Sequence, residues 1–172
     1  METGVQEQSL RIAILGPECS GKTTLCADIK KATDCFVVDE FAREYMSQRK
    51  GRVYDHKDLI RMAHVQAKRN KAATGALHVC DTEMTTLAIW AQKKLGGIPP
   101  RILELEREQA FDYYFLCRPE MPWEPDPLRE NEKGRDELFE NYAERLGHLN
   151  RAFVVLEGAP EERLQKVLEV LK

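Results

Sequence analysis

The order of segments predicts a three-layer α/β domain built on a parallel sheet. Three observations carry this. Five short β-rich apolar runs recur along the 172 residues. Four of the five are nearly continuous in apolar residues rather than alternating, as expected of strands covered on both faces. Amphipathic helical stretches separate the runs, which implies right-handed crossovers between parallel neighbours.

The first run is Arg11–Leu15 (RIAIL), ending in glycine, and a helical pattern over Gly21–Lys31 follows it. Cys35–Val38 (CFVV) is the second run. Helical stretches at Glu40–Arg49 and Asp55–Thr74 separate it from the third, Leu77–Cys80 (LHVC). Asp55 ahead of Lys57-Asp58-Leu59 reads as an N-cap and Gly75 as a stop. Glu83–Leu95 follows the third run as a helix, and Arg101–Glu108 is the helix that precedes the fourth. Phe111–Cys117 (FDYYFLC) is the fourth run and Ala152–Leu156 (AFVVL) the fifth. Gly134–Gly147 lies between them, and Pro160–Lys172 is the last helix.

Composition narrows the function classes. With 26 Lys+Arg against 29 Asp+Glu the formal net charge is −3, which argues against a general nucleic-acid binder. At 42% hydrophobic and 32% charged residues, the chain reads as one globular domain over residues 1–172. No apolar run approaches ~18 residues, so no transmembrane helix is expected, and the polar start is no signal peptide. Five cysteines without a CxxC pair read as buried thiols of a reducing cytoplasm, and the four histidines show no zinc-ligand spacing.

The sharpest motif is Gly16-Pro17-Glu18-Cys19-Ser20-Gly21-Lys22-Thr23, which matches G-x-x-x-x-G-K-[ST] between a strand and a helix. The glycines let successive amides face inward around phosphate oxygens, and the helix start adds its positive end. Lys22 can reach the outer phosphates and the Thr23 hydroxyl can ligate Mg²⁺. Asp81 closes the third run, where it can serve the same metal or, in the plainer reading, cap the next helix, a task Thr82 could take instead.

Acceptor residues should lie at the carboxyl ends of the strands. Asp39 and Glu40 close the second run; either can accept a hydroxyl proton, and Asp39 is nearer the strand end. Phe41 and Tyr45, four apart on one helical face, either pack in the core or wall a ring pocket; Trp90 has the same two readings. Arg43 is a phosphate partner or a solvated ion-pair residue. Residues 118–135 carry four prolines, Trp123 and three arginines, and read as a lid. Arg129 and Arg135 can bring a guanidinium to the transferring group or be plain surface charge. Gly158-Ala159-Pro160 is either an adenine-packing loop or an ordinary turn.

The runs GPECSGKTTL, VVDEFAREY, CDTEMTTLAIW and MPWEPDPLRE resemble the ribosylnicotinamide kinase domain of NadR-type proteins, an AAA-type ATPase/kinase of NAD metabolism. The resemblance spans about Ile12 to Arg163, and the D-T-x-x-x-T-x-x-x-W and P-W-x-x-D-x-x-R stretches are more specific than the phosphate loop. It implies a three-layer α/β/α P-loop kinase fold with a five-stranded parallel sheet and a lid. It also implies transfer of phosphate from ATP, with Mg²⁺, to the 5′-hydroxyl of nicotinamide riboside, giving nicotinamide mononucleotide. By the same resemblance Gly16–Thr24 binds ATP, Asp81 serves the metal, Asp39-Glu40 faces the nucleoside, and Trp123, Asp126 and Arg129 lie in or near the lid. Two departures stand out. The chain lacks the length for the adenylyltransferase and repressor parts of NadR proteins, so a stand-alone kinase domain is expected. Some relatives place a stacking tryptophan where this chain reads Asp39-Glu40-Phe41; the departure bears on pyridine specificity, and Phe41 could replace the stacking surface. The sequence leaves open another nucleoside or ring-bearing alcohol as acceptor, a nucleotide-dependent regulatory ATPase, and a homo-oligomer.

Overall fold

The computed structural model describes residues 9–49, 53–125, 129 and 132–172. Its element order is β1 (Leu10–Leu15), α1 (Lys22–Ala32), β2 (Phe36–Val38), α2 (Phe41–Gln48), α3 (His56–Ala72), β3 (Leu77–Asp81), α4 (Met84–Leu95), α5 (Pro100–Glu108), β4 (Tyr113–Cys117), α6 (Arg135–His148), β5 (Phe153–Leu156) and α7 (Pro160–Val170). The five strands form one sheet in the order β2-β3-β1-β4-β5, and every pairing is parallel.

Strand β1 shows why the sheet has helices on both faces. Its side chains alternate, yet all four from Ile12 to Leu15 are fully buried. Ile12 and Ile14 join Leu25, Cys26 and Ile29 of α1 and Val167 of α7. Ala13 and Leu15 point the other way, onto Leu138, Phe139, Tyr142 and Leu146 of α6. A third apolar cluster joins α2, α3, α4 and α5 around Leu59, Met62, Leu87 and Ile102.

Local signals set the ends of the elements. Asp55 and Asp58 form a capping box that starts α3, as expected of Asp55. Helix α3 ends at Ala72, so Gly75 (φ 115°) sits in the turn to β3 rather than on the helix end. Strand β4 starts two residues later than its apolar run. Asp112 explains this: its carboxylate accepts from the Arg11 N–H (2.7 Å) and its own N–H donates to the Arg11 carbonyl (2.8 Å). Phe111 instead lies under the Arg11 guanidinium, 5.2 Å from its ring centre.

The topology also places the site. Strands β1 and β3 are adjacent, with Ile14 opposite Asp81, and the chain leaves β1 toward one edge and β3 toward the other. Such a reversal opens a crevice at the carboxyl ends of the strands. No helix among the described residues is long and apolar enough to cross a membrane.

Candidate functional site

The loop after β1 carries the most demanding backbone in the site. Gly16 has φ 144°, and a Cβ there would lie 2.6 Å from the Cys117 carbonyl oxygen and 2.7 Å from Ser20 Oγ. Any side chain would therefore push the loop off β4. Gly21 (φ 83°) precedes α1 and supplies no side-chain cap, which leaves the first-turn amides for an anion. Ser20 Oγ donates to the Pro17 carbonyl (2.8 Å), and Lys22 Nζ donates to the carbonyls of Gly16 (2.9 Å) and Pro17 (2.7 Å). The ammonium thus lies across the loop it belongs to.

The back of the loop is held by two guanidinium groups from distant helices. Arg163 of α7, only 2% exposed, donates through Nη1 to the Ser20 carbonyl (2.7 Å). Its other nitrogens bond Gly158 O (2.9 Å), Arg118 O (3.1 Å) and the Glu120 carboxylate (2.9 Å). Arg135, the first residue of α6, donates to Cys19 O (3.3 Å) and Met121 O (2.9 Å). With these carbonyls engaged from outside, the loop is stiffened in the form that turns amides inward.

At the end of β3, Asp81 is buried and its Oδ2 accepts from Thr23 Oγ1 (2.8 Å). Its Oδ1 is buried with no hydrogen-bond partner among the described residues. Burial pushes the Asp81 carboxyl up, against the pull of Lys22 and of the Thr23 hydroxyl. A carboxylate oxygen left without a donor, beside a hydroxyl that opens the first turn of a phosphate-type loop, is a hard oxygen set that fits Mg²⁺. Neither Asp81 nor Thr82 caps α4. That task falls to Glu83, whose side chain accepts from Thr85 N (2.9 Å). Thr82 instead adopts φ 102°, a strained position for a β-branched residue.

The two acidic residues after β2 part company. Asp39 is exposed and does not border the cleft, whereas Glu40 is half-buried and does. Successive residues of extended chain point to opposite sides, so one residue of register decides which carboxylate turns inward. Preference for Asp39 as the inward acid is thus corrected in favour of Glu40, although the Asp39 charge still reaches Asp81 behind those of Lys22 and Arg43. Burial pushes Glu40 up, and Lys22 pulls it back most strongly, with Asp81 the next influence. Lys22, Asp81 and Glu40 therefore share one electrostatic neighbourhood.

The cleft holds about 410 Å³, ordinary for a small-molecule site. Every residue from Gly16 to Thr24 borders it, as do Arg43 and Trp90. Trp90 fulfils both of its readings, since it also packs against the α2–α5 cluster. Phe41 does not border the cleft. It lies on that cluster, against Tyr45 (5.8 Å between ring centres) and under Arg69 (4.6 Å), which corrects its role as the stacking ring. Aromatic surface in the cleft comes instead from Trp90, Tyr54 and Tyr142. Nothing in the spacing of Tyr54 or Tyr142 marks them. Arg163 does leave a signal: a cation near the start of a helix opposes the helix dipole and needs another reason to be there.

Arg129 borders both the main cleft and a neighbouring cavity of about 270 Å³ between Thr24, Met121, Pro122 and Pro160. It bonds the Glu124 carbonyl (2.6 Å) and faces the Glu124 carboxylate at 3.8 Å. Arg135 borders neither space; it is the loop brace described above, with Trp123 5.8 Å from its guanidinium, and its place among the groups facing the transferred phosphate is corrected accordingly. Pro160 of the Gly158–Pro160 turn lines the second cavity. Asp126 lies outside the described residues.

The chain is similar to known proteins in sequence and in fold. The chain is 29% identical over 175 aligned positions to the trifunctional NAD biosynthesis/regulator protein NadR of Salmonella typhimurium, covering 94% of this chain and 42% of the relative. The NadR of Escherichia coli matches equally, at 29% identity with the same coverage. The chain thus spans about two-fifths of the length of the curated relatives it matches. Among solved structures, NadR in complex with NR superposes with TM-score 0.76 at 17% identity over 95% of this chain and 50% of that one. A deoxyadenosine kinase from M. mycoides with bound dCTP gives TM-score 0.63 at 18% identity, over 94% and 98%. Both likenesses bear out the α/β P-loop kinase fold, and the NadR-type resemblance of the motifs stands. Residues 11–163 match the AAA domain family, and the chain belongs to that family.

Proposed function

We propose that this protein is an ATP-dependent kinase that phosphorylates the 5′-hydroxyl of nicotinamide riboside to nicotinamide mononucleotide. The observation that carries this reading is that the phosphate loop from Gly16 to Thr24 and Glu40 border one cleft, with Asp81 bonded to Thr23 of that loop at 2.8 Å. Residues Gly16–Thr24 hold the triphosphate, and Lys22 leaves its two carbonyl partners for the outer phosphates. Thr23 and Asp81 would hold Mg²⁺, which would neutralise charge on the phosphates. Glu40 accepts the proton of the acceptor hydroxyl as that oxygen bonds the γ-phosphorus and the bond to the ADP oxygen breaks. Trp90 and Tyr54 flank the ring, Arg43 lies at the cleft rim, and Pro160 lies beside the adenine. On this reading of one domain, Arg129 at the edge of the cleft meets the transferring group. Five free cysteines suit a cytoplasmic setting.

A panel of ribosides and deoxyribosides with MgATP, read by mass spectrometry of the products, tests this. The expected result is a phosphorylated nicotinamide riboside, and loss of at least about 10³-fold in turnover for Lys22→Ala with the fold intact. ATP bound or hydrolysed with no acceptor phosphorylated would leave a regulatory ATPase. A second reading, a kinase of another nucleoside, draws on the likeness to the deoxyadenosine kinase, nearly all of which this chain covers. A preference for deoxyadenosine over nicotinamide riboside in the same panel selects it.

A further inference from the structure

Glu40 stands at the N-cap position of α2, where a short polar side chain would accept from the second or third amide of the helix. Here it makes no such bond. The Phe41 N–H is taken by Gln66 Oε1 of α3, 2.8 Å away. The same amide donates through Nε2 to the Asp39 carbonyl (3.3 Å), so one side chain grips the backbone on both sides of Glu40. Gln66 is 1% exposed and does not border the cleft. Nε2 also donates to Asn70 Oδ1 (3.0 Å), one turn along α3. Asn70, 2% exposed, donates through Nδ2 to the carbonyl of Thr82 (3.4 Å), the strained residue that follows Asp81. The Asn70 carbonyl in turn accepts from Arg11 of β1 (2.9 Å).

We propose that Gln66, together with Asn70, is a positioning pair: it takes up the first amide of α2 and fixes the Glu40 backbone in register with that of Asp81. The inference rests on the kinase reading for its assay. The chemistry needs both carboxylates, one toward the hydroxyl and one toward the metal, at a fixed separation. Glu40 follows β2 and Asp81 ends β3, and the chain between them runs through α2 and α3. A buried amide pair bonded to both strand-end loops supplies that link without adding charge.

The test compares Gln66→Met and Asn70→Ala with Leu59→Ala, a cavity variant in the buried face of the same helix. All are assayed as the full chain, below the temperature at which any of them unfolds. Gln66→Met is expected to lower kcat by about 30-fold, as a displaced reacting group does, with the KM for ATP unchanged within about twofold. Asn70→Ala follows with a smaller loss. Leu59→Ala loses more stability than either but keeps its kcat. Amide hydrogen exchange at Phe41, slow in the wild type, accelerates selectively in Gln66→Met. A folded Gln66→Met or Asn70→Ala with wild-type kcat, or rapid exchange at Phe41 in the wild type, overturns the proposal. The exchange measurement needs no variant and holds even if Gln66→Met does not fold. Absence of transfer in the wild type would instead count against the kinase reading, and the two failures are thereby distinct.

Discussion

The two strand–helix junctions that furnish the site's carboxylates solve one problem in different ways. Each must begin a helix beside an acidic residue without letting that residue become the cap. After β3 the solution is local: Glu83, two residues beyond Asp81, accepts from Thr85 N and leaves Asp81 to Thr23. After β2 the solution is remote: Gln66, on another helix, accepts from Phe41 N and leaves Glu40 to the cleft. The local cap is a buried carboxylate, held by Arg151 at 3.7 Å and by Gln109. The remote cap is a neutral amide. One junction can therefore respond to pH through its cap, and the other cannot.

The largest effect should separate the two acids of the β2 junction. Glu40→Gln is expected to cut kcat by about 10²- to 10⁴-fold, the range for loss of a general base, while Asp39→Asn changes it less than about threefold. The opposite ranking in steady-state kinetics would show that the register of that loop is wrong. A smaller effect concerns the rings. Trp90→Leu should raise the acceptor KM about tenfold, an amount typical of one apolar contact, with little change in the KM for ATP. Phe41→Leu should leave both constants close to wild type and show mainly as a lower Tm. Were Phe41 to govern acceptor binding, the packing of α2 would have to be different.

The smallest effect tests the titratable cap. Burial lifts the Glu83 carboxyl to about 7, against the opposing pull of Thr85 and Arg151. Between the ordinary glutamate range and that value the folded chain keeps a proton that the unfolded chain has released. Stability from this group is present at low pH and lost as pH rises toward 7. Glu83→Gln can keep the cap acceptor and removes the titration. The Tm of the wild type relative to this variant should therefore fall by a few degrees between about pH 5 and about pH 8. A constant difference across that range would mean that Glu83 stays ionised, and the contrast between the two junctions would disappear.

Much of this was legible in the chain because it is locally encoded. The phosphate loop needs glycine where φ is positive and where a Cβ would strike Cys117, and a run of eight residues states both needs. The strands announced themselves because a parallel sheet covered on both faces requires apolar runs. Helix α3 likewise carried its own start in Asp55 and Asp58. Asp39 and Glu40 were different. Both are acidic, both follow a strand, and only the direction of one peptide sorts them. Phe41 and Trp90 were also ambiguous, since an aromatic residue reads alike in a core and in a cleft wall.

What the sequence determined by itself is the identity of the phosphate end: the loop, the lysine, the hydroxyl and the strand-end acid all lie within short runs that name them. What only the tertiary structure decided is which carboxylate, which rings and which arginines face the cleft. Glu40 is turned inward with Gln66 twenty-six positions away holding its backbone, and the loop is braced by Arg163 from the far end of the chain. Hydrogen bonds of that kind leave no periodicity, because each residue's partner is chosen by packing rather than by spacing.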